Sequence, residues 1–422
     1  MKPIFFLACI NLKIKVIATN KLKILNDPVH GFVRIPNSLI YDLIEHPYFQ
    51  RLRRISQMGF SNLVYAGANH TRFHHAIGCL DLMQKTVRVL RFKEIEISDE
   101  EEDALYVAIL LHDIGHGPFS HALEHSIVDG ITHEEISLKF MNELNIEFKG
   151  KLDLAIQIFT NKYHRKFLHQ LISSQIDIDR LDYLKRDSFY TGVVEGNISS
   201  ERLITMMNVV NDELVIDRKG VFSVEKFLIS RSFMYWQVYL HKTGLVAEHM
   251  LVNILKRAKY LVSQGISVFG TKPLLFFLEN KINAKTFDKT VLETFAKLDD
   301  YDLLSAIKEW VYHEDRILSM LSKMIVDRNL LKIEMQDEKI SEEHEMDMMI
   351  DFMRESGFFK DDAKYFVFTG KISNKAYNKN QPIKILDKKG KLKDITKASK
   401  GLNLDALLKP IVKHFICYPK RI

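Results

Sequence analysis

Cysteine and proline are scarce in this chain of 422 residues. The three cysteines, Cys9, Cys79 and Cys417, have no paired or CxxC spacing. This pattern argues against a disulfide framework or a zinc ribbon, and it favours a reducing compartment, so we expect a cytoplasmic protein. Only nine prolines accompany 46% hydrophobic and 27% charged residues, which is typical of an ordered protein rich in helix.

Long apolar runs, internal repeats and low-complexity segments are also missing. No run reaches the length of about 20 residues that a membrane-spanning helix needs, so no membrane partner is expected. The apolar run from Pro3 to Ile10 is short and is followed by Lys13 and Lys15, so we interpret residues 1–20 as an N-terminal extension rather than a signal peptide. The net charge of +6 is mild. It suits anionic ligands, and single-stranded nucleic acid is not specifically indicated.

The length favours two to three domains. The segment KLKILNDPVHGFVRI predicts two short strands around a turn, and the last sixty residues predict a small antiparallel sheet. Helical patterns cover Ser38 to Met58 and Val221 to Leu261, and helices continue to about Gly357. The predicted units are an N-terminal extension over 1–20, a core over 21–265, a helical extension over 266–359 and a small α+β region over 360–422.

The most informative stretch is AILLHDIGHGPFSHALEH, Ala108 to His125, because four histidines, one Asp and one Glu follow a buried apolar run. A helix would place His112 and His116 on one face, and Gly115, Gly117 and Pro118 would stop it within a turn of the cluster. A second short helix could begin at Ser120 and carry His121, Glu124 and His125. The alternative is that these are structural histidines whose hydrogen bonds are satisfied at a helix end. The clustering favours a site for Mn, Fe, Ni, Zn or Mg, since grouped imidazoles and carboxylates need a cation or a reaction to offset their desolvation.

A second polar segment is IDIDRLDYLKRD. Asp179, Tyr183 and Asp187 recur every four residues and define one face of a helix. The alternative is a solvated helix with an Asp182–Arg186 ion pair on the protein surface. The sequence alone leaves these two readings equally open.

With His75, His112-Asp113 and Asp179 in this order, the chain resembles the HD-domain metal-dependent phosphohydrolases. The segments TRFHHAIG, LLHDIGHGPFSHALEH, THEE and IDIDRLDYLKRD are similar to those of the deoxynucleoside triphosphate (dNTP) triphosphohydrolases, which include the vertebrate enzyme with a sterile-alpha-motif domain. No such domain is expected here. The resemblance runs from about Lys21 to Leu261 and continues weakly to the end. It implies a mainly α fold: an HD helical core with a short N-terminal strand pair and a small α+β C-terminal region.

The resemblance also implies roles for single residues. One divalent metal ion would be held by His75, His112, Asp113 and Asp179. The triphosphate would be contacted by Arg72, His116, His133, Arg180 and Arg231. The general acid would be His121, assisted by Glu124. The sugar and base would be lined by Gln57, Tyr183, Asp187 and Tyr239. A guanine nucleotide would bind as activator at a subunit contact through Glu45, Gln50 and Arg53.

The function implied is hydrolysis of a dNTP to deoxynucleoside and inorganic triphosphate by a homo-oligomer, a dimer or a tetramer. One alternative is an HD phosphohydrolase acting on a cyclic dinucleotide or on guanosine tetraphosphate. Against it, the chain lacks a Gly-Tyr-Pro triplet and has HDIGH where HDxxED would be expected for the latter. The other alternative is a nucleotide sensor without turnover. The preferred base and the native metal are left open at this stage.

Overall fold

A computed structural model describes residues 23–120, 126–399, 404 and 408–420. The described chain begins with an antiparallel hairpin of β1 (Ile24–Asp27) and β2 (Gly31–Arg34). Asp27 closes its turn, because its Oδ1 accepts from the backbone N–H groups of Val29 and His30 at 2.9 and 2.8 Å. The predicted strand pair is confirmed.

Eleven helices in the described residues follow the hairpin and enclose the main hydrophobic core. They are α1 (Ser38–Glu45), α2 (Pro47–Gln50), α3 (Arg72–Phe92), α4 (Asp99–Leu111), α5 (His133–Glu147), α6 (Asp153–Phe159), α7 (Lys166–Ile172), α8 (Ile178–Thr191), α9 (Ser200–Met206), α10 (Val221–Met234) and α11 (Lys242–Ser263). The mainly α fold expected from the sequence is therefore confirmed.

Two of the predicted helices are interrupted. The helix expected from Ser38 to Met58 breaks at His46, which is extended (φ −66°, ψ 137°) because the following Pro47 disfavours helical geometry at the residue before it. The helix expected from Val221 to Leu261 loosens into a π-turn over Tyr235–Tyr239, and α11 begins anew after His241. This second break changes the direction of the chain beside the candidate site.

Helices α3 and α8 pack closely in the centre of the core. The contact requires glycine at position 78, because a Cβ there would overlap the carboxylate of Asp182 and the guanidinium of Arg186. Helix α8 is capped at both ends: the Asp177 side chain accepts from Arg180 N, and Gly192 ends the helix in the left-handed conformation (φ +74°). These caps and the close contact set the position of Asp179 against α3.

The remaining described helices are α12 (Lys272–Glu279), α13 (Lys289–Phe295), α14 (Asp300–Trp310), α15 (Arg316–Val326), α16 (Glu342–Ser356), α17 (Lys360–Ala363) and α18 (Ile395–Ala398). No helix among the described residues is both long and apolar enough to cross a membrane.

Two further sheets involve the C-terminal part of the chain. One is β3 (Met207–Val210), β4 (Glu213–Asp217), β7 (Lys384–Leu386) and β8 (Leu392–Asp394); the other is β5 (Lys332–Gln336), β9 (Ile411–Tyr418) and β6 (Phe368–Asn374). The prediction of a single antiparallel sheet within the last sixty residues is wrong in detail. Strand β7 pairs in parallel with β4, and the edge strand β5 comes from the preceding helical region.

Candidate active site

The HD motif lies in a turn rather than on a helix. Helix α4 ends at Leu111 with His112 as its C-cap, so the predicted helical face shared by His112 and His116 is wrong. The turn is tied to α5: the Ser137 hydroxyl donates to the His112 carbonyl oxygen at 2.7 Å and accepts from Gly115 N–H at 2.9 Å. Gly115 is needed there, because a Cβ would overlap the backbone of His133 and Ser137.

The four predicted metal ligands converge at one point. The His75 Nε2 atom lies 3.3 Å from His112 Nε2, 3.1 Å from Asp179 Oδ1 and 3.6 Å from Asp113 Oδ2. The His112 Nε2 atom lies 3.5 Å from Asp113 Oδ1 and 3.6 Å from Asp179 Oδ1. Ligands at about 2.1 Å from one ion lie roughly 3.0 to 3.4 Å apart. The donor set therefore fits a single divalent metal ion with nitrogen and oxygen ligands.

Outer hydrogen bonds orient both imidazoles. His75 Nδ1 lies 2.8 Å from Asp182 Oδ2, and His112 Nδ1 lies 2.6 Å from the carbonyl oxygen of Ile109. Because each Nδ1 donates outward, each Nε2 is left to face the site, which is the usual arrangement for metal-binding histidines. Helix position and hydrogen bonding together prepare both rings as ligands.

The Asp182–Arg186 pair is buried and supports this cluster, so the surface ion pair that we kept as an alternative is wrong. Arg186 donates to both Asp182 oxygens at 2.8 and 3.0 Å and to Asp27 Oδ2 at 2.7 Å. His30, from the turn of the β1–β2 hairpin, lies 2.7 Å from Asp182 Oδ1. The N-terminal hairpin is thereby connected to the predicted metal ligand His75.

The charges of the cluster suit metal binding. Burial alone would raise the pKa of Asp113, but His112, Arg72 and His116 lower it well below its ordinary value. Burial would likewise raise the pKa of Asp179, yet the neighbouring imidazoles of His112 and His75 lower it. Both carboxyl groups are therefore ionised at neutral pH, as metal ligands must be.

Cys79 also lies beside the cluster and could form a second donor set with His75 and His112. Its Sγ is 3.6 Å from both ring nitrogens of His75, so it points along neither lone pair. Burial raises the pKa of the thiol well above its ordinary value. Because a thiolate is the form that binds metal, Cys79 is the poorer ligand.

A cavity of about 510 Å³ opens beside the cluster. This volume is in the range of sites that bind small molecules. Ten of its lining residues are ones that the sequence indicated: Gln57, Arg72, Asp113, His116, His133, Asp179, Arg180, Tyr183, Asp187 and Tyr239. Ten further residues line the cavity, and three of these have ionisable side chains to which the sequence assigned no role: Glu134, Tyr235 and Glu248.

Cationic and imidazole groups surround the end of the cavity next to the cluster. Arg72 pairs with Asp113 and donates through Nε to the Ser120 hydroxyl at 2.9 Å. The rings of His116 and His133 stack with their centroids 4.0 Å apart. Burial and the Arg72 charge hold the pKa of His116 well below its ordinary value, so this ring is neutral at neutral pH. This end of the cavity offers several donors to an anion.

Two further arginines stand near this end. Arg180 pairs with Asp177, and its Nε is buried without a partner in the described part of the chain. Arg231 is close enough to Tyr183 for its charge to lower the pKa of that phenol, and its Nε and Nη1 are buried without a partner among the described residues. Arg231 does not itself line the cavity. Unpaired buried guanidinium nitrogens favour an anionic ligand here.

Aromatic residues form another wall of the cavity. The rings of Tyr183 and Tyr239 meet edge to face, with centroids 6.0 Å apart. The Tyr239 hydroxyl donates to Asp187 Oδ2 at 2.7 Å, and His70 Nε2 lies 2.6 Å from Asp187 Oδ1. Sequence reasoning assigned no role to His70, although it directly precedes the TRFHHAIG segment. These bonds hold the wall rigid.

The predicted general acid His121 and its helper Glu124 lie outside the described residues, as does the short helix expected from Ser120. The residues just before them are held in place. Phe119 and Ser120 adopt positive φ angles of 53° and 52°, and Asp300 of α14 accepts from Phe119 N–H at 2.7 Å. A helix from beyond the HD core therefore contacts the loop that leads to His121.

The predicted guanine-binding residues lie apart from this cavity. Gln50 donates to the carbonyl oxygen of Ile44 at 2.7 Å, and Arg53 Nε donates to Gln50 Oε1 at 2.8 Å. Glu45 is exposed and borders a separate cavity of about 430 Å³ together with Lys23. The roles of these residues stay predictions.

Comparison with known proteins agrees with this geometry. The HD domain model matches residues 72–187, and the model of the HD associated region matches residues 198–266. The crystal structure of a phosphohydrolase from Bacteroides thetaiotaomicron is 49% identical with a TM-score of 0.92, and the match covers 95% of this chain and 100% of that one. The uncharacterized protein YwfO of Bacillus subtilis is 35% identical over 395 residues, which are 89% of this chain and 88% of YwfO.

A more distant relative carries a specific name. The deoxynucleoside triphosphate triphosphohydrolase SAMHD1 homolog of Dictyostelium discoideum is 32% identical over 260 residues, which are 56% of this chain and 49% of that protein. The fold and the His/Asp site thus define a helical HD-domain phosphohydrolase. Within that class, the chain belongs to the family related to the dNTP triphosphohydrolases.

Proposed function

We propose that the protein hydrolyses dNTPs to deoxynucleoside and inorganic triphosphate. The observation that carries the proposal is the single cavity that joins the His/Asp cluster, the donors around Arg72 and the tyrosine wall. Its two ends match the two ends of a nucleotide: cationic groups suit the phosphates, and aromatic rings suit the sugar and base.

The residues divide the chemistry between them. A divalent ion held by His75, His112, Asp113 and Asp179 would supply Lewis acidity at the reacting phosphate. Guanidinium N–H groups of Arg72 and Arg180 that are not used by protein partners donate to the phosphate oxygens.

Water attacks the α-phosphorus in line, the bond from phosphorus to O5′ breaks, and O5′ takes up a proton. The family resemblance assigns that proton to His121. Tyr183 stays protonated, since burial and Tyr235 raise the pKa of its phenol, and its ring is expected to lie against C2′ of the sugar, where a 2′-hydroxyl would be excluded.

The test uses the purified full chain with Mn or Mg and each dNTP in turn. We expect phosphorus NMR to show inorganic triphosphate, and we expect dATP to be hydrolysed about a hundredfold faster than ATP if Tyr183 excludes the 2′-hydroxyl as proposed. Chelation of the metal should stop the reaction. Release of pyrophosphate, cleavage of a cyclic dinucleotide instead, or nucleotide binding without turnover would each contradict the proposal.

We further propose that a guanine nucleotide binds at Glu45, Gln50 and Arg53 and promotes a homo-oligomer. Glu45 borders a cavity on this face together with Lys23, and Gln50 and Arg53 are hydrogen-bonded to each other outside its lining. A carboxylate accepts from guanine N1–H and N2–H, and a guanidinium donates to O6 or N7. Assembly would follow if the nucleotide binds the associated state more tightly.

Replacing Arg53 with Ala is expected to abolish the activation that GTP gives to dATP hydrolysis, because the donor to the purine is removed. The measurement is the ratio of rates with and without GTP, alongside light scattering. The exposed Arg202→Ala variant serves as control and should be activated like the wild type. A monomer with and without GTP, or an Arg53→Ala variant that GTP still activates, would overturn this assignment.

A further inference from the structure

Glu248 is a carboxylic acid in the wall of the active-site cavity that the chemistry above does not use. It lies on α11, and five residues that line the cavity with it have apolar or no side chains: Met58, Gly59, Phe119, Leu240 and Leu245. The cationic donors of the cavity belong to other elements, namely α3, the HD turn and α8. Because a carboxylate repels phosphate, the triphosphate belongs at the Arg72 end. The base of the nucleotide is then left for the part of the wall around Glu248.

The Glu248 carboxyl group has no hydrogen-bond or ion-pair partner among the described residues, although its side chain is partly exposed to the cavity. Burial raises the pKa of Glu248 to about 7, and no charged neighbour contributes to that shift. A substantial fraction of the groups is therefore ionised at neutral pH without a compensating donor. Such a group gains most from a ligand that brings N–H donors to it.

A second acceptor lies at the same place. Gly59 borders the cavity, and a Cβ built on it would be 3.4 Å from the Phe119 carbonyl oxygen and 3.5 Å from Glu248 Oε1. Both oxygens are therefore close to one point on the wall. This end of the cavity is rich in acceptors, which favours a base edge that carries donors.

We propose that Glu248 reads the base and makes guanine the preferred one, an inference that rests on the proposed dNTP hydrolysis. Among the four DNA bases, guanine alone has two adjacent N–H donors, N1–H and N2–H, on one edge, and a carboxylate can accept from both. Adenine and cytosine each present one donor beside an acceptor on that edge, and thymine has only one N–H donor. An ionised carboxylate therefore meets a repulsive acceptor in each of the other three bases.

The test is a competition in one tube, with all four dNTPs at equal concentration and the loss of each followed by chromatography. All substrates share the same enzyme and the same state of activation, so the ratio of initial rates equals the ratio of kcat/KM values. We expect the wild type to favour dGTP. Glu248→Gln keeps the size of the side chain but offers one donor and one acceptor, which suits adenine. It should lower the dGTP to dATP ratio by about tenfold or more.

Glu134→Gln is the matched control, since it removes a carboxylate from the same cavity beside His133. It should leave the dGTP to dATP ratio as in the wild type, whatever it does to the overall rate. Turnover without a guanine preference, or the same ratio in the wild type and Glu248→Gln, would overturn the inference and leave the proposed function standing. Absence of any dNTP hydrolysis by the wild type would overturn the proposed function itself.

Discussion

Replacing His112 or Asp113 with Ala is expected to abolish turnover and to strip the protein of its metal. Each residue supplies one of four donor groups, and His75 and His112 lie 3.1 to 3.6 Å from each other and from both carboxylates. Loss of an outer hydrogen-bond partner of a metal site commonly costs about ten- to a hundredfold in affinity or activity, so loss of a ligand should cost more than about a hundredfold. Elemental analysis and rates on dATP measure both effects.

The control for this prediction is Cys79→Ala. If the ion were held by His75, Cys79 and His112, this variant would lose metal as well. Because the thiol is protonated and aligned with neither lone pair of the His75 ring, we expect it to retain the metal content of the wild type. Full metal content in Asp113→Ala together with loss in Cys79→Ala would show that we have assigned the wrong donor set.

The sequence indicated the donor groups that converge in the structure, but it did not predict the path of the chain between them. The spacing of His112 and His116 predicts a common helical face. The structure has a turn there, because Ser137 takes the His112 carbonyl oxygen that a continuing helix would have used. That competing bond comes from α5, 25 residues further along the chain. The local spacing of residues around His112 contains no information about this distant hydrogen bond.

The burial of individual side chains was the second property that the local sequence pattern could not predict. Asp182 and Arg186 have the spacing of an ordinary exposed ion pair on a helix. They are fully buried because Gly78 allows α3 to approach them and because Asp27 and His30 complete their hydrogen bonds from the N-terminal hairpin. Glu248 is a similar case, since only the folded cavity reveals that it faces a ligand-sized space.

Replacing Asp300 with Ala is expected to lower kcat by roughly a hundredfold, although Asp300 contacts neither the metal ligands nor the expected position of the substrate. Its Oδ1 accepts from Phe119 N–H at 2.7 Å, and its Oδ2 accepts from Ser56 N–H at 2.8 Å. The two segments are also joined to each other, because the Ser120 hydroxyl donates to the Ser56 carbonyl oxygen at 2.7 Å. Asp300 thus connects two walls of the cavity.

The loss of the Asp300 carboxylate would affect the reacting groups through Arg72, which donates to the Ser120 hydroxyl and pairs with Asp113. Phe119 and Ser120 hold left-handed backbone angles that are uncommon for residues other than glycine, so this loop depends on its tethers. A misplacement of about 1 Å can cost a hundredfold in rate. The buried Phe119 N–H group without an acceptor should also cost about 1–3 kcal/mol in the free energy of unfolding, and the half-buried Ser56 N–H group should cost less.

Asp299→Ala separates this positioning role from a general loss of stability. It removes the N-cap of α14 and the ion pair with Arg54, yet leaves both acceptors of Asp300 in place. We expect Asp299→Ala to lower the free energy of unfolding by about 1 kcal/mol with kcat close to the wild type. Asp300→Asn, which retains one acceptor oxygen, should recover part of the activity while bound metal stays constant. If Asp299→Ala and Asp300→Ala lose kcat equally, or if kcat follows the free energy of unfolding across all three variants, Asp300 only stabilises the fold and does not position the loop.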